Sequence, residues 1–403
     1  MELFWLEHKK LWRKKIVKIC VLLCFVYCVI FGSILSFQWF CFGSSDDYTS
    51  AFGNNFDGYT VIKDSQEYAL SFGGKLTDET LQQIVSDYQQ MEADGMEEEL
   101  EKTDWQIVNS WLGTLYPELR DTSNYKTMIS YVDPDKLTGF YERRQQVLDE
   151  FLEVSGQVGA EKEFLHQIER KVEKPFRYEW VEGWSTLLGS MVADLGVVMA
   201  LFLGIVLSSL FAGEWHDNTS TLVLTTRNGW GKIALAKILT GLAFTVELFA
   251  LLAVSNVISQ LFFMGTAGWD MPIQNIKLIA VAPMNMLQAE IYEYAFVLLG
   301  AIGFAGIVMF ISAAVKNNVL TLLLSLAVVY GPMMIAEYLP YEMQKALDLI
   351  PLVGSSTDIF RTNTFRIFGK LIWSPYLLIT IPVLIGILCM PFAIKSWSRR
   401  MKA

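Results

Sequence analysis

The sequence predicts an all-α integral membrane protein. It has six transmembrane helices and a mainly helical extracellular domain inserted between the first and second. Three observations predict this. Of the 403 residues, 53% are hydrophobic and only 18% charged, where soluble domains average about 25% charged. The apolar excess is gathered into six blocks, each long enough for the roughly 20 residues that a helix needs to cross a bilayer. Basic residues crowd both ends of the chain, while the longest polar insert is acidic.

The blocks run near Ile16–Phe42, Thr186–Phe211, Ile233–Phe263, Tyr294–Val315, Val319–Tyr338 and Trp373–Ile394. The fourth and fifth are separated only by Lys316-Asn317-Asn318, which reads as a tight turn between two spans. The first is longer than the apolar region of a signal peptide and no small-x-small site closes it, so it reads as a retained anchor. Cys20, Cys24 and Cys28 line one face of that block. No His or acid joins them, so packing explains them better than a metal does.

Residues 1–15 form an amphipathic helix with Phe4, Trp5, Leu11 and Trp12 on one face and bases around the other, suited to lie on membrane lipid at the interface. Lys9, Lys10, Arg13, Lys14, Lys15 and Lys18 at the start, and Lys395, Arg399, Arg400 and Lys402 in the tail 395–403, place both termini in the cytoplasm by the positive-inside rule. That fixes an even number of spans and a multi-pass chain in the plasma membrane. Residues 43–185 hold 29 acidic against 13 basic side chains, which accounts for the net charge of −10 and argues against nucleic acid as a partner.

Within 43–185, helical spacing recurs in three places. Leu81, Ile84, Val85, Tyr88 and Met91 follow a cap at Thr77; Leu137, Phe140, Tyr141, Val147, Leu148, Phe151 and Leu152 follow a start at Asp133-Pro134; Phe164, Leu165, Ile168 and Val172 form the third set. Tyr59–Ile62 and Tyr68–Phe72 read as a hairpin. Phe176, Tyr178, Trp180 and Trp184 return the chain to the interface as an aromatic belt. The remainder, 186–394, is a five-helix region. Tyr341–Leu349 and Phe360–Ile372 read as short helices before its last span, with connecting loops as the alternative.

The motifs of several chemistries are missing. Gly229-Trp230-Gly231-Lys232 is followed by Ile233 and lacks the earlier glycine of a phosphate-binding loop. His8, His166 and His216 are far apart. No Gly-x-Ser-x-Gly elbow is present. No cofactor or metal is expected, the chain is not expected to be an enzyme, and energy for any work comes from a partner.

Between the second and third blocks, residues 212–232 form a polar stretch on the cytoplasmic side. Glu214, Asp217, Asn218, Thr219 and Ser220 offer helix caps. Leu222, Val223 and Leu224 form an apolar patch, and Arg227 and Lys232 follow. The run Glu214…Thr219…Leu222-Val223-Leu224-Thr225-Thr226-Arg227…Lys232-Ile233…Ala236-Lys237 resembles the coupling segment of ABC-2 type permeases, the membrane subunits of ABC exporters, with Asn218 where that family often has Gly. Gly73-Gly74-Lys75-Leu76-Thr77-Asp78-Glu79-Thr80-Leu81 and Tyr178-Glu179-Trp180-Val181-Glu182-Gly183-Trp184 are similar to a Gram-positive subgroup with a large outer domain. The resemblance implies two such permease subunits, alike or different, over two separate ABC ATPase subunits. It also implies that Glu214, Trp215, His216, Asp217, Thr219, Leu222, Leu224, Arg227 and Lys232 dock on the ATPase. A capped, solvated loop is the plainer alternative.

Three carboxylates lie in or beside spans. Glu247 stands about 14 residues into the third, near the midplane at ~1.5 Å per residue. Asp194 lies in the outer part of the second, and Glu337 ends the fifth. An acid within a span should face the bundle or water, so these are candidates to line or gate a translocation path. Interhelical hydrogen bonds are the structural alternative. The expected function is a permease exporting a peptide, lipid or drug-like substrate. A membrane sensor using the outer domain as receptor is the alternative; it would need an output domain supplied by a partner.

Overall fold

In the computed structural model, residues 2–30, 63, 66–67, 73–95, 105–121, 127–188, 192–216, 231–354, 360 and 363–399 are described. The second half of the first apolar block, most of the expected hairpin over Tyr59–Ile62 and Tyr68–Phe72, and residues 217–230 lie outside them.

The chain opens with α1 (Glu2–Arg13) and α2 (Lys15–Val29). A folded domain follows, with β1 (Gly74–Lys75), α3 (Asp78–Ala93), α4 (Trp105–Leu115), α5 (Phe140–Val154), α6 (Ala160–Glu169), β2 (Arg177–Tyr178) and α7 (Glu182–Thr186). The long helices are α8 (Val192–His216), α9 (Lys232–Met264), α10 (Met286–Ala314), α11 (Asn318–Ile335) and, after α12 (Tyr341–Leu347), β3 (Thr364–Ile367) and β4 (Lys370–Trp373), the closing α13 (Ser374–Arg399). Five helices among the described residues are long and apolar enough to cross a membrane: Leu195–Trp215, Lys232–Met264, Met286–Ala314, Asn318–Tyr338 and Ser374–Ser398. Such a set marks a multi-pass membrane protein, mostly helical with little sheet. Of the first predicted span, the part from Lys15 to Val29 is described and is helical.

α8 and α10 form the centre, each 61% buried along its apolar stretch, whereas α11 is only 17% buried and covers the outside. The closest crossing is between α10 and α13. A Cβ on Gly306 would stand 2.4 Å from the Gly386 carbonyl oxygen, and one on Gly386 would stand 2.4 Å from Gly303 Cα. Small residues that let backbones touch are a means of packing helices where lipid removes the hydrophobic drive. The turn between α10 and α11 is the one expected at Lys316-Asn317-Asn318. There the Asn317 side chain accepts from Val319 N (2.9 Å) and Leu320 N (3.1 Å), capping α11.

Three helix boundaries differ from expectation. α8 runs about a turn further than Phe211, so Glu214 lies on the helix. α10 begins at Met286 rather than Tyr294, because Asn285 and Gln288 form a capping box: Gln288 N donates to Asn285 Oδ1 (2.8 Å) and Asn285 N to Gln288 Oε1 (3.1 Å). Asp133-Pro134 starts only a single 3₁₀ turn, Pro134–Lys136. Leu137 ends that turn, and Gly139, at φ 72°, stands at the N-cap of the next helix. α5 starts afresh at Phe140, its first amides donating to Asp78: Gly139 N at 2.7 Å and Phe140 N at 3.0 Å.

The helix expected over Phe360–Ile372 is overturned. Thr364–Ile367 and Lys370–Trp373 pair antiparallel, and Phe368 and Gly369 turn at positive φ (49° and 79°). A two-residue hairpin loop with both residues left-handed matches the strand twist. The hairpin docks on the domain, with Thr364 Oγ1 donating to Gln157 Oε1 at 2.8 Å.

The domain core gathers Leu81, Ile84, Val85, Trp111, Leu112, Phe140, Phe176 and Tyr178. Thr77 caps α3 as expected, accepting from Thr80 N. The loop between α9 and α10 is built into this core. Leu278 belongs to it, and Trp111 Nε1 donates to Asn275 O (2.9 Å). Arg144, with no exposure, donates to Leu278 O (2.7 Å), Ala280 O (3.2 Å) and Glu169 (2.6 Å). Lys174 also meets Glu169, at 2.8 Å.

Candidate functional site

α9 carries two clusters of buried polar groups, one near each end. The first lies three helices deep. Lys237, 2% exposed, pairs with Glu214 of α8 and Glu7 of α1, both at 2.8 Å. Lys10 of α1 reaches the same Glu214 oxygen at 2.6 Å, and Lys14 donates to Ser209 Oγ of α8 at 2.9 Å. Glu7, Lys10, Leu11 and Lys14 recur at helical spacing, with Leu11 buried between the charges. Lys237 and Lys10 balance Glu214 and Glu7, and this clasp holds α1, α8 and α9 together. Lys9, Arg13, Lys15 and Lys18 remain exposed. The bases of the amphipathic start are thus divided between protein and surroundings.

The clasp brackets residues 217–230, because Glu214 stands just before that stretch and Lys237 just after it. Asp217, Thr219, Leu222, Leu224 and Arg227 lie outside the described residues, as does the side chain of His216. Lys232 opens α9 and is exposed. Trp215 is half-buried; Lys316 sits 4.3 Å above its ring and Trp397 lies edge-on at 6.1 Å. Of the residues expected to dock a partner, the described ones therefore lie at the two helix ends from which the stretch emerges.

Glu247 lies ten residues beyond Lys237, about 15 Å along the helix. It accepts from Trp12 Nε1 at 3.0 Å and meets His8 Nε2 at 3.2 Å. Its side chain is 42% exposed. α9 is about 50 Å long at ~1.5 Å per residue, longer than a hydrocarbon thickness of about 30 Å. Glu247 thus meets α1 through Trp12 and His8. Glu337 is exposed in the turn Ala336–Tyr338. Asp194 is on α8, and its side chain lies outside the described residues.

The second cluster was not singled out by the sequence. Glu290 (3% exposed) and Glu293 (0%) stand on the first two turns of α10, opposite Asn256 (2%) and Gln260 (0%) of α9. Asn256 Nδ2 donates to the Tyr294 hydroxyl at 3.2 Å, and that hydroxyl stands beside Glu290. Consecutive membrane helices run antiparallel, so pairing Asn256 with Tyr294 sets Gln260 level with Glu290 one turn on. The Glu293 carboxylate, the Asn256 carbonyl oxygen and the whole Gln260 amide lack hydrogen-bond partners. The signal was present as Glu290-x-x-Glu293-Tyr294 behind a capping box, and as Asn256-x-x-x-Gln260 inside an apolar block.

No known protein family, no characterised protein and no solved structure matches the chain.

Proposed function

We propose that the chain is the membrane subunit of an ATP-driven exporter of the ABC-2 type, moving a peptide, lipid or drug-like substrate. In this reading ATP is hydrolysed by separate ABC ATPase subunits that dock on residues 212–232. Both termini face the cytoplasm, a sixth span covers residues 16–42, and the folded domain stands outside. The exposed row on α11, including Val319, Leu323 and Leu324, offers a face to a second permease subunit.

The observation that carries this proposal is the clasp. A force applied to the stretch between Glu214 and Lys237 reaches α8 and α9 at once, and through Glu7 and Lys10 it reaches α1. A passive loop needs no such bracing, whereas a lever needs a rigid mount.

The test is a cysteine placed at Leu222 in a chain otherwise free of cysteine, cross-linked in membranes. The expected product joins the chain to a nucleotide-hydrolysing subunit, with a yield that changes with ATP. Absence of that product, in an assembly that still moves cargo, overturns the proposal.

A further inference from the structure

We propose that Glu290, Glu293, Asn256 and Gln260 form a binding site for a divalent hard cation of the calcium class. Two carboxylates buried without a countercharge are the starting point. An isolated buried carboxylate costs several kcal/mol, roughly, even after relaxation, and buried polar groups are otherwise hydrogen-bonded. Among the described residues, neither Glu290 nor Glu293 forms an ion pair, and the one polar group beside them is the Tyr294 hydroxyl at Glu290. No third His, Cys, Asp or Glu joins them among the described residues, so carboxamides must complete any ligand set.

Two carboxamides are in place. Gln260 is fully buried with its amide unpartnered, and Asn256 spends its nitrogen on the Tyr294 hydroxyl, leaving its carbonyl oxygen unengaged. The four side chains thus offer six oxygens, two each from Glu290 and Glu293, one from Asn256 and one from Gln260, with the Tyr294 hydroxyl against the Glu290 pair. An all-oxygen set suits a hard cation, and calcium takes about 6–8 oxygens in adaptable geometry where magnesium demands a regular octahedron. A charge of two on the ion cancels the two carboxylates. The near-zero exposure of the cluster leaves no open surface for the head of an organic substrate. Protons would neutralise the acids but give the six oxygens no common partner. Tyr294 lies between Asn256 and Glu290 and acts as a positioning residue. The site adjoins the end of α9 that meets the folded domain, and it does not rest on the exporter reading.

The test uses the purified full chain, first treated with chelator. Radioactive calcium is measured by equilibrium dialysis, and melting temperature is followed against calcium, magnesium and sodium chlorides and against pH. One calcium per chain and a rise in melting temperature are expected. Glu290→Gln and Glu293→Gln should each abolish binding, and each should melt higher than the calcium-free parent because a buried charge is gone. Tyr294→Phe should weaken binding by about 10–100-fold, as loss of a positioning group does. Should the carboxylate variants fail to fold, Gln260→Leu, which keeps both acids, must still weaken binding at least about tenfold. The proposal is overturned if the parent binds no calcium at millimolar concentration, if only sodium or acid stabilises it, or if binding survives in the variants.

Discussion

Around Lys237, near the start of α9, four charges from three helices meet and cancel. Around Asn256 and Gln260, near its other end, two carboxylates stand without a countercharge among the described residues. The same helix therefore treats buried charge in two ways. Where every charge is met by another, removing one partner leaves the rest stranded, and the cluster behaves as a fastening. Where charge is unmet, removing it relieves the fold, and the cluster behaves as a receptacle. The contrast is a difference in sign, and that makes it open to experiment.

The largest effect belongs to the fastening. Lys237→Met takes from Glu214, 4% exposed, its buried lysine partner and should destabilise the chain by about 3–5 kcal/mol. The double variant Lys237→Met/Glu214→Gln should recover much of that loss in the same unfolding assay. A Lys237→Met protein as stable as the parent would erase the distinction between the two ends. Next comes the crossing of α10 and α13. Gly306→Ala drives a methyl into the Gly386 backbone and should cost about 1–3 kcal/mol, with neither charged cluster altered. It therefore measures packing alone against the ionic variants.

Acid sharpens the comparison in the folded domain, where Arg144, Glu169 and Lys174 form a third cluster of the paired kind. Burial by itself would raise the Glu169 carboxyl, but hydrogen bonds from Lys174 and Arg144 outweigh it and hold its pKa below the ordinary 4.5. A carboxyl lowered on folding adds stability above its unfolded pKa and loses it as pH falls through the folded value. The domain should therefore hold at neutral pH and weaken below about pH 4.5, a loss that tryptophan fluorescence would follow. Glu169→Gln should flatten that acid limb. The smallest change in stability is expected for Glu247→Ala, less than about 1 kcal/mol, because its pairing with His8 and Trp12 is partly open to solvent. If Glu247 serves the proposed transport cycle, that variant should insert normally and fail to export, which an efflux assay in intact cells would read.

The long helices were legible because length and apolarity are properties of the chain alone. The cap at Thr77 and the turn at Asn317 were legible because a short polar side chain at a helix start acts locally. What escaped notice was held by partners distant in sequence. Asp78 closes the start of α5 some sixty residues away. Phe368 is an unusual residue for a left-handed turn, so only Gly369 hinted at the hairpin. Lys10 and Lys14 read as bases for lipid until α8 supplied Glu214 and Ser209. Glu290 and Glu293 seemed to precede the span because their charge broke the apolar run, although Asn285 and Gln288 had already begun the helix.

The loop from α9 to α10 also sets a limit on dissection. Leu278 and Ala280 supply carbonyls to the buried guanidinium of Arg144, and Asn275 ties Trp111 and Arg177 to the same wall. A fragment cut at residues 43–185 would lack that wall and leave the Arg144 guanidinium with Glu169 but without its two carbonyl acceptors. Any soluble version meant for ligand screening should graft residues 265–285 back on, or it will present a surface the intact protein never shows.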